Sequence, residues 1–241
     1  MDTNPGDLLI KELLEAPYRF DDEGKTYSLL QECFHGYPLN KLSPLLASSN
    51  IVVQQAAIWV ASELGRDAVP LMDDVMPLVD HKDRYIKYHA LEVVMICSFG
   101  EHLNKFLSIV FSLTSDDVVI RRLAMRLLAN ANKAQIMNAI NMLEGKDAGQ
   151  HSHHLMGLDA LINAISYDEM QIVSMMNSDV SLIRKYGALV AEENCNRFPH
   201  LIKMAGSSSD SDISEFAYHL HGAIGFPRIN DDEFFENSLT K

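Results

Sequence analysis

The chain has almost none of the residue groupings that mark a chemical site. Its three cysteines, Cys33, Cys97 and Cys195, stand far apart in 241 residues, so no paired CxxC ligand set exists. Each lies in an apolar helical pattern, which predicts buried free thiols in a reducing compartment. The HExxH, GxSxG and GxGxxG patterns and the phosphate-binding glycine loop are missing as well. No catalytic residue, metal or cofactor is therefore expected. No apolar run approaches the ~18 residues of a membrane span. The N-terminus, MDTNPGDLLIKELLEA, carries acids where a secretory leader would carry bases, and the expectation is a cytoplasmic protein.

Bases are also scarce. Twenty Lys and Arg face 33 Asp and Glu, for a net charge of −13. Residues 1–80 hold 13 acids and 5 bases, residues 81–190 hold 11 of each, and residues 191–241 hold 9 acids and 4 bases. The ends are acidic and the middle is balanced. Nucleic-acid binding calls for a basic stripe, so this distribution argues against it. It suits a basic protein partner, because complementary charge speeds encounter.

What is present is helical periodicity, repeated. The segments SSNIVVQQAAIWVASELG, HKDRYIKYHALEVVMICSFG and SDDVVIRRLAMRLLANAN share a form. Each has a polar lead-in, a β-branched residue, an Ala four positions on and an apolar run. Registered on that branched or apolar residue, Val53, Ile86, Ile120, Met156, Ile183 and Ile213 are equivalent, at intervals of 33, 34, 36, 27 and 30 residues. Four positions after each stand Ala57, Ala90, Ala124, Ala160, Gly187 and Ala217, small enough for close helix approach. A second helix is expected after each first one, over 67–79, 101–113, 133–143, 168–176, 198–205 and 231–239. Before the array, helices are expected from Asn4 or Thr3 to Ala16, from Lys25 to His35 with Leu29, Leu30, Cys33 and Phe34 inward, and over 39–47. A loop is expected over YRFDDEG. No segment alternates with the period of a strand. The pattern predicts an all-α fold, an α-solenoid of about six to seven antiparallel helix pairs. Its expected parts are a capping repeat over 1–47, the array over 48–226 and an acidic capping segment over 227–241, with Phe234 and Phe235 sealing the last repeat.

The array resembles the HEAT repeat family in its short bacterial form. The matching residues are Asp116, Ile120, Arg121 and Ala124; Asp83, Ile86, Lys87 and Ala90; Asp179, Ile183, Arg184 and Gly187; and Asn50, Val53, Ala57, Leu64 and Gly65, where Gln54 replaces the base. The acids are expected to cap helix N-termini. The bases one turn on are expected to meet acids of the neighbouring repeat. Alternatively Arg121, Arg122 and Arg126 form a small basic patch with Arg84 and Lys87. The resemblance implies a scaffold and leaves the activity open. HEAT-like DNA glycosylases hold DNA in a basic groove, for which this chain lacks the charge. A HEAT-like tetrapyrrole lyase or isomerase is a minor enzymatic alternative.

Two groups of side chains remain as candidates. His151, His153 and His154 cluster, but no Cys or acid adjoins them to complete a metal site. His89, beside Ala90, is expected to be packed or hydrogen-bonded. Second helices of such stacks usually line the partner face, and their polar residues include Asp73, Asp74, Asp80, Glu101, Asp168 and Glu169. Asp73 and Asp80, seven apart, would share one helix face. These six acids are the expected partner-binding residues. The expectation is a non-enzymatic, acidic protein-binding scaffold, concretely an immunity or inhibitor protein against a basic bacterial toxin, or otherwise an adaptor in a larger complex.

Overall fold

The computed structural model describes residues 4–144, 149 and 151–223. The expected seal by Phe234 and Phe235, and the segment 227–241 as a whole, lie outside these residues. Among the described residues every regular element is helical. The fold is all-α and of α-solenoid class, with consecutive helices packed as pairs. Two compact units are distinguished, residues 1–162 and 163–241.

The first unit opens with α1 (Pro5–Glu15), α2 (Pro17–Asp22), α3 (Lys25–Phe34) and α4 (Ser43–Leu46). Asn4 caps α1, accepting the Gly6 N–H at 2.8 Å, and Pro5 fits the first turn. The loop expected over 18–24 is instead largely α2. Pro17 starts a helix as well as ending one, and the fully buried Phe20 anchors it. Phe34, expected inward, is 51% exposed. It lies past Cys33 on the turn that leaves the core face.

Next come α5 (Ile51–Glu63), α6 (Met72–Val75), α7 (Arg84–Cys97), α8 (Leu107–Ser112), α9 (Val118–Ala129), α10 (Lys133–Glu144) and α11 (Ser152–Ile162). The first helices α5, α7 and α9 pack in succession. Val53, Ile86 and Ile120 are at most 1% exposed, and Ala57, Ala90 and Ala124 are fully buried. Burial of one such branched side chain contributes about 1.5–3 kcal/mol. Gly65 closes the first of these helices at φ +59, where a Cβ would be strained.

The second helices differ from expectation. In place of one helix over 67–79, a 3₁₀ segment (Gly65–Leu71) leads into α6 and a second 3₁₀ segment (Met76–Asp80) follows. Pro70 and Pro77 have no N–H to donate, so each removes one bond from an α-helical ladder. Residues 101–113 divide likewise, into a 3₁₀ segment (Gly100–Phe106) and α8. The stretch 39–47 holds a 3₁₀ turn (Leu39–Lys41) and α4, with Pro44 in its first turn.

Met156 is not the fourth anchor. It is 56% exposed, whereas His154, two positions earlier, is 6% exposed at the third position of α11. Residues three, four and seven after His154 are buried, as they are after Ile86. With His154 as anchor, the intervals become 33, 34, 34, 29 and 30 residues.

The second unit contains a 3₁₀ turn (Ala164–Ser166), then α12 (Glu169–Met176), α13 (Ser181–Glu193), α14 (His200–Gly206) and α15 (Ser211–Ala223). Helix α13 packs on α12, α14 and α15. A Cβ built on Gly187 would lie 2.8 Å from the Met176 nitrogen. The Ala found at this place in other repeats would not fit. Between α13 and α15 lies an ion pair, Lys185 Nζ to Asp212 at 3.2 Å, with side chains 7% and 3% exposed.

Candidate functional site

The loops that enter the first helices are built alike. Five residues before every anchor but His154, where Gly149 stands, is a side-chain acceptor, and it takes the N–H of the residue two further on. Ser48 accepts from Asn50, His81 from Asp83, Ser115 from Asp117, Ser178 from Val180 and Ser208 from Asp210, at 3.0 to 3.2 Å. The residue that receives this turn also caps the helix. Asn50, Asp83 and Asp117 accept N–H groups of the first turns of α5, α7 and α9. The expectation that Asp116 and Asp179 act as caps is not met, because each lies one residue too early. Asp117 caps α9, and Val180 stands at the start of α13 with no side-chain cap.

The backbone carbonyls at these earlier positions serve the arginines instead. Arg121, one residue after its anchor, donates from Nη1 to the carbonyls of Ser115 and Asp116 at 2.8 and 3.1 Å. Arg184 repeats this with Ser178 and Asp179 at 2.9 and 3.1 Å, and its Nη2 meets Asp210 at 3.0 Å. The expected contact to an acid of the next loop is thus made by Arg184. In the first unit it is made by Arg84, whose Nε lies 2.6 Å from Asp117. Arg126 donates to the Tyr88 hydroxyl at 3.1 Å. The bases proposed as a patch are therefore largely engaged within the fold, with Lys87 apart.

Between successive loops lie open clefts. One, of about 520 Å³, is lined by Lys82, Arg84, Lys87, Ser115 and Asp116 among others. The other, of about 610 Å³, lies at the same register in the second unit, lined by Asp179, Arg184 and Ser207 to Ser209 among others.

The six acids fall into different settings. Asp73 in α6 has an 87% exposed side chain 3.5 Å from Lys105 Nζ. Asp74 accepts the Ser43 hydroxyl at 2.6 Å. Asp80 ends the 3₁₀ segment and is exposed. The seven-residue argument for a face shared by Asp73 and Asp80 fails, because the α-helical period is broken between them. Glu101 is 89% exposed, with His102 Nε2 at 3.7 Å. In the second unit Asp168 is tied into a capping box with Gln171, and Glu169 meets His200 at 3.0 Å.

His89, His151 and His154 pack against neighbouring rings. His89 is buried, with Tyr85 and Tyr88 edge-on at 4.4 and 5.4 Å. Its Nδ1 lies 3.1 Å from Ser62 Oγ and 2.9 Å from Glu92. Both partners converge on one ring nitrogen, and the Ser62 hydroxyl donates to the Trp59 carbonyl. A nucleophilic relay needs serine and acid on opposite nitrogens, so this geometry makes none. His151 and His154 both pack on the Phe111 ring. Burial, with His151 and His153 nearby, pushes His154 down to about 4. Among the described residues, no three His, Cys, Asp or Glu are grouped to hold a metal ion. The cysteines are free, and burial raises the Cys33 and Cys97 thiols to about 11.

The buried polar side chains were not legible in the sequence. Gln135 donates to the carbonyls of Met95 and Ser98, Gln54 to Leu46, and Asn194 to Ala164. They secure the ends of helices and turns within their own units. Polar identity alone did not distinguish them from surface residues.

The architecture defines a class, that of all-helical repeat proteins. Two crystal structures of engineered proteins from the Northeast Structural Genomics Consortium share it. One has a TM-score of 0.50 at 17% identity, covering 79% of this chain and 98% of its own. The other has a TM-score of 0.51 at 17% identity, covering 90% and 94%. At this identity the likeness concerns the fold alone. No family model matches the chain, and no curated protein matches it in sequence. Among the described residues, no helix is long and apolar enough to cross a membrane.

Proposed function

We propose that this chain is a HEAT-type scaffold that binds a basic protein surface, and that it acts as an inhibitor of that partner. The observation that carries the reading is the exposure of the first unit's carboxylates. Asp73 and Glu101 keep almost nine-tenths of their side chains in water, and Asp80 is exposed beside them in sequence. Their described basic neighbours are Lys105 and His102, at 3.5 Å or more. In contrast, the residues with chemical potential are held in the interior. His89 and Ser62 bond one another, and Lys185 pairs with Asp212. Exposed acids attract a cationic partner over about a Debye length, which raises the association rate more than the affinity.

The test begins by capturing a partner from the source cell with the purified chain. Association is then measured by stopped flow over a salt series. The variant Asp73→Lys/Asp80→Lys/Glu101→Lys is expected to slow association at least about tenfold at low salt. An unchanged rate overturns the placement. Inhibition is read from the partner's own activity at saturation, and a partner that stays fully active would make the chain an adaptor.

A further inference from the structure

We propose that the cleft between the loops at His81 and Ser115 binds a carboxylate group carried by a peptide, with the Lys87 ammonium as its main contact. The inference rests on a comparison of one position across repeats and is independent of the acidic surface. Lys87, Arg121 and Arg184 all stand one residue after an anchor. Arg121 and Arg184 each turn back onto two carbonyls of their own loop. The carbonyls at the matching places before Lys87 are those of His81 and Lys82. Among the described residues the Lys87 side chain makes no hydrogen bond or ion pair. It is half-buried and lines the 520 Å³ cleft.

The rest of the lining suits a monoanion. Lys82 reaches the cleft from the exposed side, and Arg84 is held by Asp117. Ser115 Oγ accepts the Asp117 N–H, which leaves its proton to donate. Three cations against Asp116 and Asp117 leave one net positive charge among the lining residues. A carboxylate balances that charge, whereas a phosphoryl dianion would meet the two aspartates. In the second unit the base at this position, Arg184, is already engaged by Ser178, Asp179 and Asp210, so the corresponding cleft does not present it to a ligand in the same way.

The test is a titration of the ¹⁵N-labelled full chain, read at the backbone amides of Ser115 and Asp116. The probes are acetyl-Gly-Gly-Glu-Gly-Gly-amide, its Gln counterpart and sodium glutarate. The Glu peptide is expected to give saturable shifts and the Gln peptide none. Lys87→Ala is expected to weaken binding about tenfold, the loss of one charge-assisted bond. Lys87→Arg is expected to weaken it as much despite the kept charge, because the guanidinium turns onto the His81 and Lys82 carbonyls. Unchanged amide shifts elsewhere show that both variants are folded. Wild-type affinity in Lys87→Arg, or equal response to the Gln peptide, overturns the proposal. Glutarate binding as tightly as the Glu peptide overturns the assignment to a peptide.

Discussion

The two units solve one packing problem with different lengths of chain. In the first, successive anchors stand 33 or 34 residues apart, while in the second Ile183 and Ile213 are 30 apart. The difference is about one helical turn, and it resides in the second helices. Those of the first unit between Gly65 and Ser112 start as 3₁₀ segments and run long. Those of the second unit, α12 and α14, have 8 and 7 residues. Interiors differ too. Buried amides tie both units, Gln54 and Gln135 in the first and Asn194 in the second, but the second also encloses an ion pair and brings helices into backbone contact at Gly187. First helices keep their register in both. Second helices absorb the variation.

The largest expected effect tests the ion pair. Asp212→Ala leaves the Lys185 ammonium buried and alone, and is expected to cost about 3–5 kcal/mol. The apolar double variant Lys185→Met/Asp212→Leu is expected to recover most of that loss. Urea unfolding measures both, and a single variant costing under ~1 kcal/mol would erase this contrast between the units. The next effect concerns Gly187. Gly187→Ala is expected to destabilise by about 1–3 kcal/mol through overpacking on Met175 and Met176, although helix propensity alone favours Ala by up to ~1 kcal/mol. Ala90→Gly, at the same register in the first unit, is expected to cost about 1 kcal/mol. A stabilised Gly187→Ala would mean that both units pack at the same distance.

The smallest effect is a pH slope in the first unit. His154 is held neutral in the fold, with its pKa lowered to about 4 from 6.5. Above pH 6.5 it does not alter stability. Between 6.5 and 4 the unfolded chain takes a proton that the folded chain refuses, so stability falls as pH falls. His154→Leu is expected to flatten this part of the profile in chemical denaturation. An unchanged slope would show that His154 is not the group responsible.

The first helices were legible because their signal is a burial period, and burial is what the structure reproduces at Val53, Ile86, Ile120, Ile183 and Ile213. Met156 misled for the same reason. It is apolar and the true anchor, His154, is not, so hydrophobicity pointed two residues late. The second helices were misjudged over 67–79, where Pro70 and Pro77 each remove a bond from the hydrogen-bond ladder, and over 101–113, a division that no proline explains. Of the six acids, their exposure or engagement could not be read from spacing. Asp74 is bound by Ser43, 31 residues away, and Asp168 by its own capping box. Lys185 and Asp212 meet only because two helices cross, which no local pattern encodes.

The loop entering five of the first helices carries a wider consequence. What recurs there is an acceptor at a fixed place, and either a serine hydroxyl or a histidine ring nitrogen fills it. The turn makes its own bond within three residues and asks nothing of its neighbours. Sequence drift is therefore cheap at these joints, provided a lone pair remains. A chain assembled on such joints can exchange serine for histidine at them, as at His81, and keep the same entry into the helix.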